Sequence, residues 1–87
     1  MRKSIHSVQQ RHLQDLLRRL RQDADLTQTA LADRLATPHS RISDYERGER
    51  RLDLIQLREY CNAMGLPLQE FVRLFEESLP PENEQPP

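Results

Sequence analysis

The stretch LATPHSRISDYERGERR, Leu35 to Arg51, decides how this chain folds. Its large apolar side chains are Leu35, Ile42 and Tyr45, set among hydroxyls, an imidazole and arginines. Pro38 suits the first position of a helix, where a missing N–H breaks no hydrogen bond, and Thr37 suits the N-cap before it. Gly48 suits the far end, because glycine readily takes the left-handed conformation that closes helices. Upstream, Thr27 can cap another short helix whose inner side is Ala30, Leu31, Ala32 and Leu35. Only Ala36 and Thr37 separate the two. So short a link forbids packing along their lengths, so the helices must cross steeply as a helix-turn-helix, with its core at about residues 27–47.

The rest of the chain reads as helices that support this pair. Leu13, Leu16, Leu17, Leu20 and Ala24 recur at three- and four-residue steps, which predicts a first helix with one inward stripe. Ser7 and Gln10 fit a capping box for its start, and Ser4 could open it a turn earlier. Asp53 with Gln56 predicts a capped fourth helix, with Leu54, Leu57, Cys61 and Met64 inward and Gly65 at its end. Pro67 opens a fifth, with Leu68, Phe71, Val72, Phe75 and Leu79 on one stripe. No segment alternates as a strand does. The predicted fold is all-α, a compact five-helix bundle over residues 1–79. Residues 80–87, PPENEQPP, offer nothing to bury and are expected to be a disordered Pro-rich tail.

Charge is divided along the chain. Residues 1–51 carry 11 Lys+Arg against 7 Asp+Glu, while residues 52–87 carry 2 against 7, giving the net −1. A basic front with an acidic back suits either a polyanion-binding face or a plainly solvated helix surface. The single cysteine, Cys61, excludes an internal disulfide and fits a reducing cytosol, and it reads as a small core residue. No apolar run is long enough to cross a bilayer, and no apolar segment follows Met1-Arg2-Lys3 as a signal peptide requires. The expected location is cytoplasmic.

At Leu26-Thr27-Gln28, Leu31-Ala32, Ile42-Ser43, Tyr45-Glu46 and Gly48 the sequence resembles the phage-repressor and Cro-like helix-turn-helix domains, the XRE family. The similarity runs from about His12 to Leu79. It implies a lambda-repressor-like fold whose third helix enters the major groove of double-stranded DNA. By position, His39, Ser40, Arg41 and Asp44 would then read bases. Arg41 can contact guanine in bidentate fashion, and a carboxylate such as Asp44 can accept from cytosine N4. Thr27, Gln28, Arg47, Arg50 and Arg51 would hold backbone phosphates. Arg21 and Glu46 match positions that pair as a structural ion pair. Where the family usually has glycine at the turn, this chain has Ala36, so the turn is either strained or differently shaped.

The resemblance further implies a transcriptional regulator, most often a repressor, binding a two-fold symmetric site as a homodimer. The C-terminal helix, with Phe71, Leu74, Phe75 and Leu79, is the expected dimer interface. Asp44 would also repel phosphates, which keeps an alternative open: a protein-interaction module, such as an antitoxin bound to a toxin, or an adaptor. No enzyme is expected, and no cofactor or metal. His6, His12 and His39 lack metal-ligand spacing, no Ser/His/Asp set is placed by a recognisable scaffold, and there is no glycine-rich phosphate loop.

Overall fold

The computed structural model of the chain describes residues 3–79, with side chains from Val8 onward. Its helices are α1 (Lys3–Asp23), α2 (Gln28–Leu35), α3 (His39–Arg47), α4 (Leu54–Ala63) and α5 (Leu68–Ser78). No strand occurs among the described residues, so the architecture is the all-α five-helix bundle. The expected tail, residues 80–87, lies outside them.

Four helices end in one way. The N–H of Leu26, Thr37, Glu49 and Leu66 each reaches back five residues, to the carbonyls of Arg21, Ala32, Asp44 and Cys61, at 3.1, 3.0, 2.8 and 2.9 Å. The residue before each donor is left-handed: Asp25, Ala36, Gly48 and Gly65, with φ of 60°, 53°, 78° and 76°. This closing pattern satisfies carbonyls that would otherwise lack partners and reverses the chain within two residues. At Gly48 a Cβ would lie 2.4 Å from Gln14 Oε1, so a larger residue there would have to displace the flexible end of Gln14 as well as take the left-handed conformation. At Ala36 the turn keeps the left-handed shape (φ 53°, ψ 47°) without glycine. The methyl group meets the following carbonyl, a strain of about 1 kcal/mol.

The helix starts follow side-chain chemistry, with two differences from expectation. Thr27 Oγ1 accepts the Ala30 N–H at 3.0 Å. Asp53 Oδ1 accepts the Gln56 N–H at 2.8 Å while Gln56 Oε1 accepts the Asp53 N–H at 2.9 Å, a complete capping box. The third helix, however, begins at His39, with Pro38 as its extended N-cap and no side-chain cap. Thr37 cannot serve both helices, because its N–H already closes α2 on Ala32. The first helix already includes Ser4 and Ser7, so neither is its cap.

The core joins Leu16 and Leu17 of α1, Leu31 and Ala32 of α2, Ile42 and Tyr45 of α3, Tyr60 and Cys61 of α4, and Phe71 of α5. Two inward assignments change, and one core residue is added. Leu54 is 65 % exposed and Val72 45 %, while Tyr60, outside the predicted stripe, is buried. It stands edge-on to Tyr45, with ring centroids 6.1 Å apart. Phe71 is 1 % exposed and therefore belongs to the core of one chain, so its side chain is not available to a dimer interface.

Two measurements check these points. Ala36→Gly should raise stability by roughly 0.5–1 kcal/mol in urea titration, because glycine carries no left-handed penalty. Burial pushes the Cys61 thiol up to about 11. A thiol reagent at neutral pH should therefore label Cys61 only as fast as the protein opens, and rapidly once it is unfolded.

Candidate nucleic-acid interface

The third helix is amphipathic across a narrow waist. Ile42, Tyr45 and Glu46 are buried on its inner side, whereas His39 and Ser40 in its first turn are exposed. Arg41 and Asp44 are half-buried at the flanks of the outer face. Arg47 closes the helix, and Arg50 and Arg51 follow in the exposed loop toward α4. Thr27 is exposed at the start of α2, one residue before Gln28. The expected base-reading positions thus share one projecting face, and the loop arginines lie just past its end.

A buried polar hub sets the orientation of that face. Glu46 accepts from Arg21 Nε at 2.7 Å and from Arg21 Nη2 at 3.1 Å, a two-bond ion pair between α1 and α3. Gln28 Nε2 donates to the same carboxylate at 3.0 Å, and the Tyr60 hydroxyl reaches it at 3.4 Å. Arg21 Nη1 also donates to the Leu26 carbonyl at 2.7 Å, in the turn before α2. Four helices therefore converge on one carboxylate. Gln14 adds a fifth contact, its Nε2 3.4 Å from the Glu46 carbonyl.

Electrostatics within the hub agree with its geometry. The hydrogen bond and charge of Glu46 hold the Arg21 guanidinium above its ordinary value, against the opposing effect of burial. Burial, reinforced by the Glu46 carboxylate, likewise raises the Tyr60 phenol, so it remains a donor. Among the described residues, no buried side-chain nitrogen or oxygen lacks a partner. A buried charge pair of this kind is tolerated because each of its buried nitrogens and oxygens has a hydrogen-bond partner.

Gln28 has a different environment from that expected of a purely outward phosphate ligand. Its carbonyl accepts from the Ser43 hydroxyl at 3.3 Å while its amide faces Glu46, which leaves one amide hydrogen and the backbone N–H for an outside partner. Arg47 is held as well: Nη1 donates to Ser43 at 3.1 Å, and Nη2 donates to Asp44 at 2.9 Å and to Glu49 at 3.1 Å. By contrast, Arg41, Arg50 and Arg51 form no ion pair among the described residues. Sequence reasoning had no role for Gln14, Ser43, Glu49 or Tyr60. Only Glu49 carried a legible signal, two residues after an arginine.

No metal-ligand group of three or more His, Cys, Asp or Glu exists among the described residues. No described helix is long and apolar enough to cross a membrane. What the geometry defines is a helix-turn-helix protein, with a short helix anchored from behind and polar in front. Residues 17–71 match the helix-turn-helix family model. A solved structure, an XRE-family like protein from Pseudomonas syringae pv. tomato str. DC3000, is 37% identical, with a TM-score of 0.81 over 90% of this chain and 95% of that chain. No curated protein matches the sequence. The chain belongs to the XRE-family helix-turn-helix proteins, a family of DNA-binding transcription regulators.

The hub can be tested directly. Arg21→Ala leaves the Glu46 carboxylate buried and short of its main partner, which should cost about 3–5 kcal/mol in denaturant unfolding. Replacing Arg18, exposed on the same helix, should change stability by less than about 0.5 kcal/mol.

Proposed function

We propose that this chain binds double-stranded DNA in a sequence-specific way as a cytoplasmic transcriptional repressor, acting as a homodimer on a two-fold symmetric site. The domain that does so is residues 1–79. One observation carries the reading: α3 is fastened by Ile42, Tyr45 and the Arg21–Glu46 pair, while its opposite face is polar and open. A rigid ridge of that width fits a major groove.

On this reading His39, Ser40 and Arg41 meet base edges, with Arg41 on guanine. Asp44, with one carboxylate oxygen on Arg47, offers the other to a cytosine amine. The Thr27 hydroxyl, the free amide hydrogen of Gln28, and Arg50 and Arg51 hold phosphates on either side. Helix termini add donors, since the first N–H groups of a helix have no partner within it.

A second copy would meet the outer stripe of α5. Val72, Phe75 and Leu79 repeat there with Leu74 beside them, each at least partly exposed. On the polar side Arg73 pairs with Glu70 and, at 2.7 Å, with Glu77, which leaves that cluster with a net charge of −1. An apolar strip of this kind can pack against its own copy about a two-fold axis.

The deciding experiment is selection of binding sites from random duplexes at low salt. A two-fold symmetric site should be enriched by the native chain and lost with Arg41→Ala. Recovery of no site at any salt would replace this reading with a protein-interaction module. For the dimer, mass measured at high micromolar concentration should correspond to two chains, and Val72→Glu should shift it toward one. If Ile55→Glu shifts the mass and Val72→Glu does not, the two-fold contact lies instead at the start of α4, where Leu54 and Ile55 are each 65 % exposed.

A further inference from the structure

Glu49 is neither a base-reading nor a phosphate position, yet it touches the one arginine on the outer end of α3. The Arg47 guanidinium is bonded to three acceptors, Ser43 Oγ at 3.1 Å, Asp44 Oδ1 at 2.9 Å and Glu49 Oε1 at 3.1 Å. Both hydrogens of Nη2 are taken by carboxylates, and one hydrogen of Nη1 by the hydroxyl. Guanidinium offers five N–H donors in a flat fork, so what remains is Nε–H and one hydrogen of Nη1, on different edges of the fork. Neither usable edge can then form the parallel pair of bonds that makes arginine a good phosphate ligand.

The charge balance points the same way. Two carboxylates around one guanidinium leave this end of the ridge with a net charge of −1, where Arg47 alone would give +1. All three side chains are accessible, Arg47 at 54 %, Glu49 at 62 % and Asp44 at 29 %, so an incoming phosphate would compete with them directly. Arg50 and Arg51, one and two residues beyond Glu49, have no such partners among the described residues.

We propose that Glu49, together with Asp44, is an internal competitor for DNA phosphate on Arg47, and so sets the affinity of this chain for duplex DNA below what its arginines would otherwise give. The proposal rests on the DNA-binding reading above. The carboxylates stand in for phosphate oxygens: they occupy the donors a backbone phosphate would take, and a phosphate gains Arg47 only by displacing them. Affinity and salt dependence therefore carry one phosphate contact fewer than the arginine content suggests. The family-level site positions alone do not reveal this, because Glu49 lies beyond the end of the reading helix.

Glu49→Gln tests it without disturbing the helix end, since the bond that closes α3 uses the backbone N–H of Glu49 and not its side chain. Affinity for the enriched site and for a random duplex is measured across a salt series for the native chain, Glu49→Gln, Arg47→Ala and the double variant. Glu49→Gln should bind both duplexes more tightly, roughly eightfold at 0.1 M salt relative to 1 M, with a salt slope steeper by about 0.9, the signature of one added phosphate. In the Arg47→Ala background the same substitution should give no gain. A DNA-free readout accompanies it: Arg47 holds the Glu49 carboxyl below its ordinary value, and Arg47→Ala should return its titration to that value.

A gain that survives without Arg47, or no gain at all from Glu49→Gln in a chain that binds duplex, overturns the proposal and leaves the DNA-binding reading standing. A chain that binds no duplex in any of the four forms removes that reading and the proposal with it.

Discussion

The Arg21–Glu46 ion pair is the constraint on which the placement of the other elements depends. Glu46 sits on the inner side of α3, 2 % exposed, so its charge is compatible with folding only when opposing donors are fully assembled around it. Those donors come from α1, α2 and α4, which means that no two helices can dock correctly unless the others are in place. Packing of leucines alone tolerates rotation of a short helix by a fraction of a turn. A carboxylate held by four directed bonds does not, and this distinguishes a recognition helix with a defined outer face from one that merely covers a core.

The outer face inherits its character from that anchoring. With Ile42, Tyr45 and Glu46 inward, His39 and Ser40 in the first turn are left exposed, and Arg41 and Asp44 lie at the margins of the outer face. The polar network does not stop at the core boundary. Gln28 links Glu46 to Ser43, and Ser43 links to Arg47, so a hydrogen-bonded path runs from the buried pair to the exposed guanidinium. The placement of the exposed arginine on the ridge is thereby coupled to the same hub that stabilises the bundle.

The helices and the steep crossing of α2 and α3 were legible in the residues. Periodic leucines, Thr27, the Asp53–Gln56 box and the two glycines are local signals, readable over spans of four residues or fewer. The left-handed ends at Asp25 and Ala36 were not readable this way, since neither residue type requires that conformation. There the bond back to Arg21 or Ala32 imposes it. Thr37 shows the same limit: as a helix cap it is locally sound, but the end of α2 had already claimed its N–H.

The sequence by itself determined five helices, their order, the tight link between the second and third, and an exposed face bearing hydroxyl, imidazole and guanidinium groups. It determined these because helix periodicity and end signals act over a single turn of chain. The tertiary structure decided which apolar residues are core, burying Tyr60 and Phe71 while leaving Leu54 and Val72 in water, since that depends on where neighbouring helices stop. It also decided the electrostatics of the ridge. An arginine counts as a free cation only when no carboxylate reaches it: Asp44 reaches Arg47 within α3 itself, and whether Glu49 does is set by the turn at Gly48, which folds the chain back against the end of that helix.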